Sequence, residues 1–168
     1  MSVKPSEQNP AQFLVEILRF ISTHQGAAKP IYQFFNNNQA QLNDRLLQAL
    51  PQTISALLSQ LPAAQKHPIV AALITFGRLI QDFSSVQSEV HLELAITVYQ
   101  QAPPDSRRQI NPKTWALAPT NLGSAYSARI QEDRAEYLEQ AISAFQQALQ
   151  IYSQKIFGRL GDRLKQPG

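Results

Sequence analysis

Residues 92–102 read LELAITVYQQA and residues 138–148 read LEQAISAFQQA, with seven of eleven positions identical at a shift of 46 residues. The same shift holds upstream, where Phe76-Gly77 falls on Leu122-Gly123 and Ile80 falls on Tyr126. From Gly77 to Ala95 is eighteen residues, and from Gly123 to Ala141 is again eighteen. Two anchors on two helices keeping one offset mark an internal duplication, the signal to seek before any other. Each copy reads as apolar-Gly-x-x-(Ile/Tyr), a connection, then Ala-x-x-x-(Tyr/Phe)-x-x-Ala, which gives Ala95, Tyr99 and Ala102 in the first copy and Ala141, Phe145 and Ala148 in the second. Helices come within about 8–10 Å of each other, closest where the contacting side chains are small. Gly77, Gly123, Ala95 and Ala141 are therefore the expected contact points of two helical hairpins, with the aromatics filling the space around them. One hairpin cannot bury its apolar face by itself, so hairpins of this kind stack.

Outward from the duplication, apolar residues recur at helical spacing and nowhere alternate as in a strand. Phe13, Leu14, Ile17, Leu18 and Ile21 form a stripe over 11–24. Gly26 and Pro30 mark a turn, and a short helix carrying Ile31, Tyr32, Phe34 and Phe35 fades in the Asn run 36–38. Leu42, Leu46, Leu47 and Leu50 form another face that Pro51 ends or kinks, and Ile54, Leu57, Leu58 and Leu61 continue beyond it. Pro68 is read as a first helical residue of a helix to about 83. Further helices are expected near 88–103, 112–130 and 133–154, with Asn111-Pro112 as a start signal and Asp133 with Glu136 as a capping box. The expected organisation is a flexible N-terminus at 1–10, a helical leader at 11–66, two repeats within 67–154 (67–103 and 112–154), and a basic tail or cap at 155–168.

Composition narrows the function. A 43% apolar content with 16% charged residues supports a packed core rather than disorder. There are no cysteines, which removes disulfides, zinc-thiolate sites and a cysteine nucleophile. The net charge of +3 equals the balance of Lys155, Arg159, Arg163 and Lys165 against Asp162. The charge thus sits on the last residues rather than on a basic face, and nucleic-acid binding is not implied. No stretch reads as a bilayer span, which needs ~20 apolar residues, nor as a signal peptide. A soluble, cytoplasmic protein is expected. His24, His67 and His91 are isolated from metal-ligand partners. Glu132, Asp133, Glu136 and Glu139 read as a helix cap and a solvated face. There is no phosphate-binding glycine loop, Trp115 reads as core packing, and no cofactor or metal is expected.

The second copy, LG-x-x-Y (Leu122, Gly123, Tyr126) followed by A-x-x-x-F-x-x-A, resembles the tetratricopeptide (TPR) repeat. The connection is about six residues longer than in a 34-residue repeat, with the excess around Arg129 to Arg134. This long-turn form, NLGSAYSARIQEDRAEYLEQAISAFQQALQIYS, is similar to repeats of cyanobacterial proteins that join TPR arrays to a caspase-like (CHAT) peptidase domain, and 11–83 resembles their leader. The resemblance implies an all-α, right-handed solenoid of two hairpins behind a helical leader. It also implies a concave groove faced by Thr120, Asn121, Ser124, Ser127 and Ala128, and a non-enzymatic scaffold or adaptor that binds a protein or peptide. Pro119 stands where the family has Trp, the first copy has Ile80 in place of the aromatic, and no Cys–His dyad is present, so peptidase activity is not implied. Thr120 occupies a clamp-lysine position, so capture of an acidic C-terminus is not implied either. Two alternatives stand beside the adaptor: a regulatory partner that caps a longer CHAT-type homologue, and an unrecognised hydrolase. The apolar residues Ile142, Phe145, Leu149 and Tyr152 near the end of the array lead to an expected weak homodimer, or to packing of 156–165 back over that face.

Overall fold

A computed structural model describes residues 8–83, 89–101, 120–123 and 134–164, and every regular element among them is helical. The elements are α1 (Pro10–Thr23), α2 (Ala28–Asn37), a 3-10 turn (Gln39–Gln41), α3 (Asp44–Gln60), α4 (Ala63–Phe83), α5 (Glu89–Gln100), a helical stretch at 120–123, and α6 (Arg134–Leu164). The protein is all-α, as the periodicity indicates.

Local chemistry sets most helix ends. The Asn9 side chain accepts a hydrogen bond from the Ala11 N–H at 2.9 Å, with Pro10 as first helical residue, which satisfies one orphan donor of the first turn. At the other end of α1 the N–H of Gly26 donates to the Ile21 carbonyl at 2.9 Å and that of Gln25 to Ser22 at 3.2 Å. This crossed pair needs a left-handed residue after the helix, and Gln25 supplies it at φ 51°, followed by Gly26 at 72°. The Asn38 side chain donates to the Phe34 carbonyl at 2.8 Å and closes α2, so the Asn run does terminate that helix. Asn43 caps α3, accepting from the N–H groups of Arg45 at 2.9 Å and Leu46 at 3.2 Å.

Pro51 does not end its helix, and Pro68 is not the first residue of its own. α3 continues through Pro51 to Gln60 as one helix, because Leu46, Leu50, Ile54 and Leu58 form one buried row at four-residue spacing on either side of it, while Pro51 itself faces solvent. The lost bond at Pro51 is outweighed by burial along that row. α4 begins at Ala63 rather than at Pro68; Pro68, also exposed, falls early enough to remove one N-terminal hydrogen bond without ending the helix. The third difference is at the other end of the chain. α6 runs on to Leu164, so 155–164 prolong the helix and do not fold back across it. The expected cap at Asp133 and the start at Asn111-Pro112 lie outside the described residues.

Packing joins what the sequence divides. α1 lies against α3, α3 against α5, α5 against α4 and α4 against α1, a closed ring of four helices, with α2 on α4. Leu58 and Val70, on either side of the expected leader boundary at 66, belong to one buried cluster with Phe13, Ile31, Ala95 and Ala141. α2 is held by aromatic contacts. Phe34 lies 6.1 Å from Phe13 and 4.6 Å from Phe20, and Phe35 lies 6.0 Å from Phe76 and 5.3 Å from Phe83, within the range of favourable ring pairs. α4 and α5 are buried over most of their circumference, α4 through Val70, Ala72, Leu73, Ile74, Phe76, Gly77, Leu79 and Ile80. No buried polar or charged residue occurs among the described residues.

Candidate functional site

The residues of the duplication meet in pairs. A Cβ built on Gly77 would lie 2.5 Å from Tyr99 Cε1 and 2.8 Å from Cζ. A Cβ built on Gly123 would lie 2.9 Å from three ring atoms of Phe145. Both pairs are related by the 46-residue shift, so the same close approach of an aromatic ring to a helical glycine occurs twice. Ala95, Ala141 and Ala148 are buried, and Leu122 is partly buried against the core. Ala102, Tyr126, Ser124, Ser127 and Ala128 lie outside the described residues.

Tyr99 lies between Gly77 and Asn121. Its hydroxyl donates to Gln81 Oε1 at 3.5 Å. Burial raises its pKa well above the ordinary phenol value, the Asp82 carboxylate raises it further, and Arg78 and the Asn121 side chain act the other way. Tyr99 is therefore a neutral packing residue with a polar tip. Asn121, expected on the open groove, is half-buried, with its side chain beside the Tyr99 hydroxyl. Of the five groove residues, Thr120 and Asn121 are described, both half-buried.

One surface is not singled out by sequence spacing, and a second is singled out in part. A groove of about 830 Å³ opens between α1 and α3, with Ala11, Val15, Ala49, Thr53, Ala56 and Leu57 among its walls. Glu16 and Arg19 are the charged residues on its rim, joined by Gln12, Gln52 and Gln60. The signal for it was present as small residues at Ala49, Thr53 and Ala56, spaced four and three apart along one face of α3. The other surface is on α6, whose small residues Ala141, Ala144 and Ala148 face inward while large apolar ones face solvent. That inversion was half legible: Ile142, Phe145 and Leu149 were expected at the open end, and Leu138 joins them.

Among the described residues no group of three or more His, Cys, Asp or Glu is placed to hold a metal ion, and no helix is long and apolar enough to cross a membrane. Comparison with family models, with curated proteins and with solved structures returned no match.

Proposed function

We propose that the chain is a protein–protein interaction module whose two hairpins form a TPR-like right-handed solenoid, continuous with the leader. The observation that carries this reading is the repeated glycine–aromatic contact, Gly77 with Tyr99 and Gly123 with Phe145. A duplicated helix-to-helix contact at a constant offset is how a stacking repeat is built, and stacked repeats present long surfaces to peptides. The α1–α3 groove supports it further. Apolar walls with a rim of Gln, Glu and Arg side chains suit an amphipathic helix laid into the seam. The face bearing Thr120 and Asn121 is the other candidate surface, with Ser124 and Ser127 following at helical spacing in the sequence. It offers short polar groups and no aromatic or Arg anchor, so binding there is weak, on the order of micromolar.

Affinity capture from the source cell tests the reading with two surface variants. Thr53→Arg with Ala56→Arg fills the groove, and Asn121→Ala with Ser124→Glu alters the second face. Loss of the main partner in one of them, with melting nearly unchanged, assigns the site. Retention of every partner in both variants refutes the module.

A further inference from the structure

The geometry points to an internal water-binding site beside the 3-10 turn, where one water molecule donates a hydrogen bond to Gln41 Oε1 and ties the start of α1 to the start of α3. The turn brings Gln41 to a cavity of about 30 Å³. Gln8, Pro10 and Phe13 close it from the α1 side, and Asn43, Arg45 and Leu46 from the α3 side. A chain of hydrogen bonds sets which end of the Gln41 amide is left over. The Asn38 amide nitrogen donates to the Phe34 carbonyl at 2.8 Å, which commits Asn38 Oδ1 to act as an acceptor. Gln41 Nε2 donates to that oxygen at 3.2 Å. Turning the Gln41 amide over would set two oxygens against each other. Its Oε1 is therefore the free end, and it is enclosed with no donor among the described residues.

Neighbouring polar groups are engaged elsewhere. Asn43 Nδ2 donates to the Ala40 carbonyl at 2.6 Å, and Gln8 Nε2 donates to Glu16 Oε2 at 2.8 Å. Asn43 Oδ1 accepts from the N–H groups of Arg45 and Leu46 as the α3 cap. An enclosed acceptor without a donor is costly, and in folded proteins such atoms are paired with protein or with ordered water. Size and charge single out water here. A buried water needs at least about 10–15 Å³, and a cavity of about 30 Å³ leaves no room for anything much larger. Arg45 in the wall carries a positive charge, which disfavours a metal cation, while an acceptor oxygen gives an anion nothing to bind. A buried water takes about three hydrogen bonds, and Gln8, Asn43 and Arg45 bring further polar atoms to the same walls. Ala11 and Ala49, just beyond the cavity on the two helices, belong to the α1–α3 groove. The water thus holds the two helices at the end where that groove begins.

Crystals of the intact chain, at a resolution that shows ordered water, test this directly. In the wild type a water is expected within hydrogen-bond distance of Gln41 Oε1. In solution a water held in this way exchanges slowly, and it should give nuclear magnetic resonance cross-relaxation peaks to the Phe13 and Leu46 side chains that surface hydration does not give. Gln41→Met keeps the length of the side chain and removes the acceptor. It should abolish those peaks and the density of the water, with helix content by circular dichroism unchanged. A protein donor found on Gln41 Oε1 overturns the inference, as does a metal ion in the cavity. So does a wild-type map with no water beside Oε1 where waters on the helix surfaces are well defined. Cross-relaxation peaks missing from the wild type, or retained in Gln41→Met, overturn it as well.

Discussion

The two glycines of the duplication should respond differently to the same substitution. Gly→Ala within a helix gains about 1 kcal/mol from backbone propensity wherever the methyl group has room. At Gly77 it has none. The new Cβ would stand 2.5, 2.8 and 3.1 Å from three ring atoms of Tyr99, against an ordinary carbon–carbon separation of about 3.5–4.0 Å. The ring must retreat by roughly 1 Å, yet it is 4% exposed and its hydroxyl faces Gln81. Overpacking of this kind costs about 1–3 kcal/mol, and the upper half of that range fits a ring enclosed on every side. Subtracting the propensity gain leaves Gly77→Ala destabilised by about 1–2 kcal/mol. At Gly123 the nearest ring atoms are all at 2.9 Å, and Phe145 is 41% exposed. Its ring can move outward by about half an ångström at little cost, so propensity and clash nearly cancel and Gly123→Ala should be within about 0.5 kcal/mol of wild type.

Urea unfolding followed by far-ultraviolet circular dichroism reads both values from midpoints at constant slope. In a Tyr99→Leu background the cost of Gly77→Ala should disappear, a coupling of about 1 kcal/mol or more between residues in contact. Equal effects at the two glycines, or a stabilising Gly77→Ala, would show that the rings do not press on them as described.

Gln25→Gly should stabilise the fold by about 0.5–1 kcal/mol, because Gln25 holds the left-handed position after α1 at φ 51°, where glycine is unstrained; a lowered thermal midpoint would count against that cap. Asn43→Ala should cost about 1 kcal/mol through loss of the α3 cap, and Asn43→Asp should retain most of it. Burial holds the His91 imidazole below its ordinary value of 6.5, so the folded chain binds fewer protons than the unfolded one in that range. The contribution is complete above 6.5 and declines as pH falls from there toward the depressed value; His91→Gln should flatten the dependence of melting temperature on pH in that window, and an unchanged slope would remove His91 from the account. Ala141→Leu, at a site 3% exposed, should destabilise by about 1–3 kcal/mol, whereas a neutral effect on melting would deny the contact.

What could be read in advance was what depends on near neighbours. The stripe from Phe13 to Ile21 and the Asn run that closes α2 each lie within one helix, and the duplication shows as a repeated sequence pattern. Each follows from helical period or from one hydrogen bond. The closed ring of α1, α3, α5 and α4 does not. Its pairings join residues tens of positions apart, and Leu58 and Val70 carry no local mark that they share a core with Ile17. The prolines make the same point. Pro51 reads as an end or a kink and Pro68 as a first helical residue because propensity counts their missing hydrogen bonds, while the buried rows that carry the helices through them belong to tertiary packing. The candidate surfaces divide in the same way. Ala49, Thr53 and Ala56 look like an ordinary small-residue face until α1 is set beside them and a groove results. On α6 periodicity marks two apolar rows, and only the duplication, which sets Ala141 in the register of Ala95, chooses between them. The fold buries the row of alanines, since small side chains let the helix lie close to the core. Leu138, Ile142 and Leu149 of the other row are then exposed, while the Phe145 ring rests on Gly123. Hydrophobic size alone would have assigned those rows the other way round, because it weighs the transfer of each side chain from water and not the close approach that the alanines allow.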